Sequence, residues 1–260
     1  MNTQGYILIA LGQRYIKEAE MCAKTIRKYD SRPISVLVLS EDISSVDRTI
    51  FNDVIEYRIM NDYFQFFRTD FERLGTYPKI NLINYSLYDE NIYLDTDVIC
   101  QSSPENLWKF ASNWKNPIMM MGQRDDPNWH FGCIEEVSQK YGKKIPHIHG
   151  GFLYFRKDSS DFFDYCNKIT PFYDVLGCKR WFRGSMPDEI FFAISHANYD
   201  YFPVEFDQFP IMTFNISNEV QLPTKLQTHN DKTLEDYIPF IHAYDREIFK
   251  NLFNRVINSN

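Results

Sequence analysis

The sequence has no closely spaced pair of cysteines, which argues against a structural zinc site. Its five cysteines are odd in number, and none belongs to a CxxC motif. Zinc sites usually need such pairs, and small disulfide-stabilised secreted domains usually carry an even set. The spacing therefore predicts free, buried thiols in a reducing compartment. The cysteines are Cys22, Cys100, Cys133, Cys166 and Cys178.

The sequence also lacks an excess of positive charge and a long apolar segment. Lys and Arg number 28 against 35 Asp and Glu, so the formal net charge is −7. Surfaces that bind nucleic acid or anionic membranes are usually basic, so neither partner is expected. The N-terminal apolar run "YILIAL" (6–11) is too short for a signal peptide or a transmembrane segment. We therefore expect a soluble, cytoplasmic protein.

The first half of the chain alternates apolar strand patterns with helical patterns. "YILIAL" and "ISVLVL" (34–39) predict buried strands, and "NIYLDTDV" (91–98) predicts a third. Between them, apolar residues recur with helical spacing over about 14–29 and about 78–88. This alternation predicts an α/β domain with a mostly parallel sheet, whose ligands bind beyond the carboxyl ends of the strands.

The second half is less regular, and no repeat or linker separates it from the first. Strands are predicted at 117–121, 152–156 and 237–244, and helices at 159–169 and about 187–197. The simplest interpretation is one domain over 1–260. It would join a nucleotide-binding α/β half (1–110) to a more irregular second half (111–260).

The segment "NIYLDTDVIC" (91–100) raises a question of charge, because an apolar run ends on Asp95 and Asp97. In a strand, both side chains would point to the same face. At a separation of about 5 Å and an effective dielectric of about 20, their repulsion is about 3 kcal/mol. We therefore expect a positive partner that offsets this cost.

Three interpretations of the two acids remain open. They could be solvated or capping residues at a turn. Asp95 could be the nucleophile of a phosphatase, since "YLDTDV" resembles the first motif of haloacid-dehalogenase-type phosphatases, although that motif normally ends the first strand of its domain. Alternatively, the pair could hold Mg²⁺ or Mn²⁺ against a diphosphate, because these ions complete their octahedron with phosphate oxygens and water.

The wider sequence favours the cation, because residues 77–108 resemble the core of the family 8 glycosyltransferases. In that family a basic residue opens a helix, an apolar strand ends in DxD, and a helix begins at an Asn-Leu-aromatic motif. Here these positions are Lys79, Asp95 with Asp97, and Asn106-Leu107-Trp108. The family has the GT-A fold and includes glycogenin and bacterial galactosyl- and glucosyltransferases.

Further segments resemble elements of the family in the same order along the chain. They are "YILIALGQRYIKEA" (6–19), "HIHGGFLYF" (147–155), "MPDEIFF" (186–192) and "FIHAY" (240–244). The resemblance implies a single GT-A-like domain. Its Rossmann-like nucleotide-binding half would have a mixed, mostly parallel sheet flanked by helices, and its acceptor half would be more irregular.

The resemblance implies a retaining, metal-dependent hexosyltransferase. The donor would be a nucleotide-sugar, UDP-linked, and the hydroxyl acceptor a glycan, a protein or a small molecule. An alternative is a catalytically degenerate protein that binds a nucleotide-sugar or a glycan without turnover. That alternative rests on "HAYDREIFK" (242–250), which lacks the family's Gly and Lys-Pro-Trp after the late His.

The resemblance assigns three metal ligands, Asp95, Asp97 and His242. A neutral imidazole beside two carboxylates suits Mn²⁺ better than Mg²⁺. In isolation, His242 would be a core histidine near the end of an apolar strand, so both interpretations stay open.

Other positions match residues that hold the donor in the family. Tyr15 would stack on the nucleotide base, and Lys79 would neutralise charge on the diphosphate. Gly150 and Gly151 would let the donor approach the backbone closely. The alternative for Tyr15 and Lys79 is an ordinary packing or surface role.

Asp188 and His149 are the candidate catalytic residues under the same resemblance. Asp188 would contact sugar hydroxyls or stabilise developing charge at the anomeric carbon, and His149 would contact the sugar. Ser185, Pro187 and Asp188 also fit a helix capping box, so Asp188 could be a capping acid. The family usually has Asn at the position of His149 and Gln at that of Glu189.

Two further charged segments are candidates for ligand contacts. Lys179, Arg180 and Arg183 belong to an aromatic loop that could fold over an acidic nucleotide and exclude water, or form ordinary surface. Asp125 and Asp126 could face the sugar or simply form a turn.

Overall fold

The structure, a computed structural model, describes residues 3–58, 76–124, 134–180, 186–205, 208–215 and 238–259. The strands are β1 (Gln4–Ala10), β2 (Ile34–Leu39), β3 (Asp53–Tyr57), β4 (Glu90–Leu94), β5 (Val98–Cys100), β6 (Ile118–Gln123), β7 (His147–Arg156), β8 (Met212–Asn215) and β9 (Phe240–Ala243). The α-helices are α1 (Gln13–Tyr29), α2 (Thr76–Lys79), α3 (Glu105–Ser112), α4 (Ile134–Tyr141), α5 (Ser160–Ile169), α6 (Asp188–Asn198) and α7 (Arg246–Asn258). Short 3₁₀ helices occupy Ser40–Ser45, Leu82–Tyr85, Lys157–Ser159 and Thr170–Phe172.

The main sheet has six strands in the order β3-β2-β1-β4-β7-β6. The strands from β3 to β4 run parallel, whereas β7 runs antiparallel to both β4 and β6. The prediction of a mixed, mostly parallel sheet flanked by helices is confirmed. Since β7 comes from the second half of the sequence and pairs with β4 from the first, both halves contribute to one sheet.

Apolar side chains cover both faces of this sheet. On one face, Leu8 and Val36 pack with the apolar stripe of α1, where Ile16, Ala19 and Ala23 are buried as the helical spacing predicts. On the other face, the strands pack against α5 and α6. The cysteines within the described residues are buried free thiols, as predicted, and Cys133 lies outside those residues.

The predicted helix over about 78–88 is wrong. The chain forms the short helix α2, then a separate 3₁₀ turn, and Leu87 is exposed. The Asn81 side chain donates a hydrogen bond to the carbonyl of Tyr77 and another to the Asn167 side chain. Such side-chain bonds compete with continuation of the helix, because they give the backbone another set of partners.

The predicted single strand through the DxD segment is also corrected. Strand β4 ends at Leu94, and β5 begins at Val98 in a second sheet of order β5-β9-β8. Asp95 and Asp97 therefore lie in a turn that links the two sheets, and strand alternation does not determine where their side chains point.

Among the described residues, no helix is long and apolar enough to cross a lipid bilayer.

Candidate metal and donor site

The turn from Asp95 to Asp97 lies at the carboxyl edge of the main sheet. Strands β1 and β4 are parallel, with Leu8 opposite Leu94, so the segments that follow the two strands leave the sheet at the same edge. The backbone N–H of Asp95 donates to the Gly151 carbonyl on β7 at 3.1 Å. The carbonyl of Asp97 accepts from the Ala243 N–H just after His242, at 3.0 Å. Backbone bonds to two different sheets therefore hold the turn in place.

His242 faces the two acids across the small sheet. It pairs with Val98 in the β5–β9 register, one residue after Asp97. Its Nε2 lies 3.0 Å from Oδ1 of Asp97 and 3.9 Å from Oδ2 of Asp95. His242 lies far from the two acids in the sequence, and the fold brings all three side chains together.

The three side chains offer donor atoms of the right kind for a divalent cation. One oxygen from each carboxylate and one imidazole nitrogen lie within 4.8 Å of one another. Carboxylate oxygen and imidazole nitrogen together suit Mn²⁺ better than a ligand set of oxygen alone would. The donor set therefore fits the metal that the resemblance implies.

The charges of His242 and Asp97 stabilise each other in the protein without metal. Burial lowers the pKa of His242, but the carboxylate of Asp97 outweighs burial, so this pKa is raised above its ordinary value. Burial raises the pKa of Asp97, but the imidazole of His242 outweighs it, so that pKa is lowered. The pair therefore favours imidazolium and carboxylate when no cation is bound.

Lys79 is the second positive partner of the acidic turn. Only 7% of this residue is exposed, and its Nζ lies 2.9 Å from Asp95 Oδ1 and 2.9 Å from Asp188 Oδ2. Burial lowers the pKa of Lys79, but the carboxylates of Asp188 and Asp95 outweigh it and raise this pKa well above its ordinary value. The buried ammonium of Lys79 and the imidazole of His242 therefore offset the repulsion expected between Asp95 and Asp97.

Tyr93 completes the support of Asp95 from strand β4. Its hydroxyl donates a hydrogen bond to Oδ1 of Asp95. The Nζ of Lys79 lies 5.0 Å from the centre of the Tyr93 ring, within the range of a cation–π interaction. Tyr93 was not predicted as a site residue, although its position two residues before Asp95 in "YLD" could have indicated it.

Gly150 and Gly151 are needed because functional side chains pack directly on their backbone. A Cβ at Gly150 would lie 2.5 Å from Oδ2 of Asp188, and a Cβ at Gly151 would lie 2.7 Å from Nδ1 of His242. The carbonyl of Gly150 also accepts a hydrogen bond from Lys79 at 3.2 Å. In this structure the two glycines make room for side chains of the site itself.

The capping-box hypothesis for Asp188 is wrong, because the N-cap residue of helix α6 is Pro187 rather than Ser185. Helix α6 begins at Asp188 with Pro187 as the N-cap residue, and no side chain caps it. Asp188 therefore occupies the first helical position, and its carboxylate pairs with Lys79. Ser185 lies outside the described residues.

Glu189 is a further acidic residue of the cluster. From the sequence it was recognised only as a departure from the Gln that the family usually has at this position. Its Oε1 accepts the N–H of Gly150 at 3.1 Å. Burial, with the Asp188 carboxylate as a second cause, raises the pKa of Glu189 to about 8. The signal in the sequence was the pair of adjacent acids at the start of an apolar helix.

Tyr15 and His149 lie on the elements that form this edge. Tyr15 is on the first turn of α1, after Gly12, whose φ of 109° is a conformation that favours glycine. The Arg14 guanidinium lies 5.1 Å from the centre of the Tyr15 ring. His149 precedes Gly150 on β7, and its ring stacks on that of His147 with centroids 5.1 Å apart. Their roles toward a donor stay predictions.

The cationic loop is described only in part. Arg180 forms a two-pronged ion pair with Asp174 at 2.8 Å, which accounts for its charge without a ligand. Arg183 lies outside the described residues, as do Asp125 and Asp126.

Solved structures with a similar fold are glycosyltransferases. The galactosyltransferase LgtC, in a complex with donor and acceptor sugar analogues, aligns with a TM-score of 0.62 at 14% identity over 98% of this chain and 97% of its own. Mouse xyloside xylosyltransferase 1 aligns at 0.57 with 11% identity over 93% and 98%. An active-site glutamine-to-glutamate mutant of LgtC aligns at 0.59 with 14% identity over 98% and 97%. The fold is therefore the GT-A glycosyltransferase fold.

The sequence profile of the family described as Glycosyl transferase family 8 matches residues 6–157, which is more than half of the chain. No curated protein matches the chain significantly. The chain belongs to glycosyl transferase family 8.

Proposed function

We propose that the protein is a metal-dependent glycosyltransferase that moves a hexose from a UDP-linked donor to a hydroxyl acceptor, with retention. The observation that carries this proposal is the cluster of Asp95, Asp97 and His242 at the carboxyl edge of the sheet. Ligands of open α/β sheets bind at this edge. Membership of the family decides against the phosphatase alternative.

Asp95, Asp97 and His242 would hold the cation, Mn²⁺ or Mg²⁺. When bound there, a divalent ion would act as a Lewis acid and stabilise negative charge that develops on the leaving diphosphate. For the imidazole to serve as a ligand, His242 must lose the proton that its pairing with Asp97 favours. The nearby Lys79 ammonium would then add positive charge on the side of Asp95.

Asp188 and His149 are proposed to face the transferred sugar, with Gly150 between them on the backbone side. Asp188 is held by Lys79, so its carboxylate keeps one orientation and can accept a sugar hydroxyl. Glu189 lies beside it and is kept protonated near neutral pH by its raised pKa, so one of its oxygens could donate a hydrogen bond while Oε1 accepts the N–H of Gly150. Tyr15 would stack on the base, a contact worth about 1–3 kcal/mol.

The halves 1–110 and 111–260 are proposed to form one domain in which the first binds the nucleotide and the second the sugar and acceptor. The pairing of β4 with β7 supports this arrangement, since it places Asp95 and Gly151 side by side. The acceptor would be a glycan, a protein or a small molecule with a free hydroxyl.

The decisive experiment is calorimetry of UDP binding with and without Mn²⁺ on the parent and on Asp97→Asn. The variant should lose at least about 100-fold in Mn²⁺-dependent affinity, since losing even an outer hydrogen-bond partner of a metal ligand costs about 10–100-fold. Asp164→Asn, an exposed acid on α5, is the matched control and should bind like the parent. Equal binding by Asp97→Asn and the parent would sink the metal site.

A binding protein without turnover is the second candidate, because the family's Lys-Pro-Trp element is absent from the sequence after His242. Release of free sugar from UDP-hexoses separates the two candidates. An enzyme should hydrolyse the donor slowly when no acceptor is present, and Asp97→Asn should abolish this reaction. Tight Mn²⁺-UDP binding with no sugar released from any UDP-hexose would favour the binding protein.

A further inference from the structure

A groove of about 380 Å³ lies between helices α1 and α7, and none of its lining residues belongs to the acidic cluster. Below it, the two helices pack together through apolar residues that include Met21 and Phe249. The wall from α1 carries Arg14 and Lys17. The wall from α7 carries Arg246 and Lys250. A packed apolar floor under cationic walls makes this a built concavity rather than a flat patch.

The charges that line the groove are poorly balanced within the protein. Four cationic side chains face a single carboxylate, that of Glu18. Glu18 Oε1 lies 2.9 Å from Nε of Arg14 and 3.7 Å from Nε of Arg246, so one acid serves both arginines. The local excess of positive charge opposes the net charge of −7 on the whole chain.

The helix that forms one wall adds to this imbalance. The N-terminus of an α-helix carries a partial positive charge, so basic residues in the first turns are unfavourable there. Helix α1 nevertheless carries Arg14 and Lys17 in its first two turns, has no acidic residue in its first turn, and has no side-chain cap at Gly12. A bound anion would relieve the repulsion between these cations and the helix terminus.

Glu18, one of the residues that line the groove, connects it to the turn that carries Asp95 and Asp97. Glu18 is largely buried, and its Oε2 lies 3.5 Å from the hydroxyl of Thr96. Thr96 separates Asp95 from Asp97 in the sequence. Glu18 therefore links one wall of the groove to the turn that carries two of the proposed metal ligands.

We propose that this groove, formed by Arg14, Lys17, Arg246 and Lys250, is a binding site for a phosphate-bearing ligand. Guanidinium groups match phosphate oxygens with paired hydrogen bonds, and ammonium groups add point charges. The arginine side chains are 52% and 58% exposed, so a ligand can reach them. The phosphate could belong to the nucleotide donor or to a separate molecule such as a phosphorylated acceptor.

Pyrophosphate in metal-free buffer of low ionic strength is the probe, and calorimetry measures its affinity. The double variant Lys17→Ala/Lys250→Ala removes two groove cations for which the described residues show no ion pair. Its affinity should fall by about tenfold or more. Lys24→Ala/Lys115→Ala is the matched control, since it removes the same charge from exposed positions outside the groove, one of them also on α1. The control should bind like the parent.

Two results would overturn the proposal: no measurable binding of pyrophosphate to the parent, or equal weakening in the groove variant and the control. Binding of Mn²⁺-UDP to the same variants then identifies the source of the phosphate. A matching loss of UDP affinity assigns the groove to the donor, and unchanged UDP affinity assigns it to a separate molecule.

The inference rests on the proposed function only for the identity of that molecule. The metal-free measurement keeps the two ideas separable, because Asp97→Asn should leave pyrophosphate binding unchanged. Failure of the metal site would therefore not remove the groove, and failure of the groove would not remove the metal site.

Discussion

The acidic cluster and the cationic groove, which are linked through Glu18, carry opposite excess charge. The charges of the cluster are largely buried, whereas those of the groove are exposed to solvent. In the cluster, the cation Lys79 is 7% exposed and touches two carboxylates at 2.9 Å. In the groove, Arg14 and Arg246 are more than half exposed and share one carboxylate. At 4 Å a charge pair is worth about 4 kcal/mol at an effective dielectric of about 20, but about 1 kcal/mol in water. Burial therefore makes the first arrangement part of the fold, whereas solvent leaves the second available to a ligand.

The largest effect is expected from removal of the buried cation, Lys79, which tests whether burial makes its ion pairs essential for stability. Lys79→Met should lower the free energy of unfolding by about 3–5 kcal/mol, because it leaves Asp95 and Asp188 partly buried without their partner. Urea denaturation of the metal-free protein measures the change. Adding Asp188→Asn to the variant should restore part of the loss, since it removes one of the uncompensated charges.

An exposed lysine provides the control for that experiment. Lys143 pairs with Asp200 at 3.2 Å and donates to the carbonyls of Ala197 and Asn198, but its side chain is 44% exposed, so Lys143→Met should change stability by less than about 2 kcal/mol. Equal losses in Lys79→Met and Lys143→Met would mean that burial does not distinguish the two kinds of pair.

The pH dependence of stability is the next largest effect expected of the acidic cluster. The raised pKa of His242 stabilises the metal-free protein fully below the ordinary histidine pKa of about 6.5, and this contribution is lost as pH rises through the higher folded value. The slope for one proton reaches at most about 1.4 kcal/mol per pH unit. His242→Gln should remove this decline in urea denaturation curves measured from pH 6 to pH 9. A decline of the same size in the variant would assign it to another group.

Glu189 contributes a second decline that can be separated from the first. Its folded pKa of about 8 lies above that of an ordinary Glu, so between these values the unfolded chain loses a proton that the folded chain keeps. Stability therefore falls as pH rises toward about 8. Glu189→Gln keeps an acceptor for the Gly150 N–H and should raise stability at pH 8 by at least about 1 kcal/mol. Metal affinity moves in the opposite direction, since it should strengthen as pH rises and His242 loses its proton.

The smallest predicted effect concerns the space that the glycines leave. Gly151→Ala should weaken Mn²⁺-UDP binding by about tenfold. The new Cβ would lie only 2.7 Å from Nδ1 of His242, so the His242 ring would have to move. Gly150→Ala is the matched comparison, since its Cβ would meet Asp188 and Glu189 instead. It should reduce donor hydrolysis more than metal-dependent binding. If both variants bind Mn²⁺-UDP like the parent, the close packing on β7 has no role in the metal site.

The errors of sequence interpretation fall where short elements meet. The long strands and α1 were predictable because their apolar residues recur at regular spacing over many positions. The segment 78–88 has the same spacing by chance, but the contacts of Asn81 end the helix. The DxD segment has the composition of one strand, yet its two ends pair with β7 and with β9 in different sheets.

The sequence by itself determined the α/β alternation, the buried thiols and the position of two acids, one residue apart, after an apolar run, because these depend on local periodicity and composition. Only the tertiary structure decided which cations face those acids. Lys79 precedes them by a helix turn and a strand, and His242 follows them near the end of the chain, so neither pairing leaves a local signal. Ion pairs and metal sites depend on distances of a few ångströms between side chains, and those distances are set by the pairing of strands far apart in the sequence. The groove between α1 and α7 arises in the same way, from two helices that lie far apart in the sequence and pack together in the folded protein.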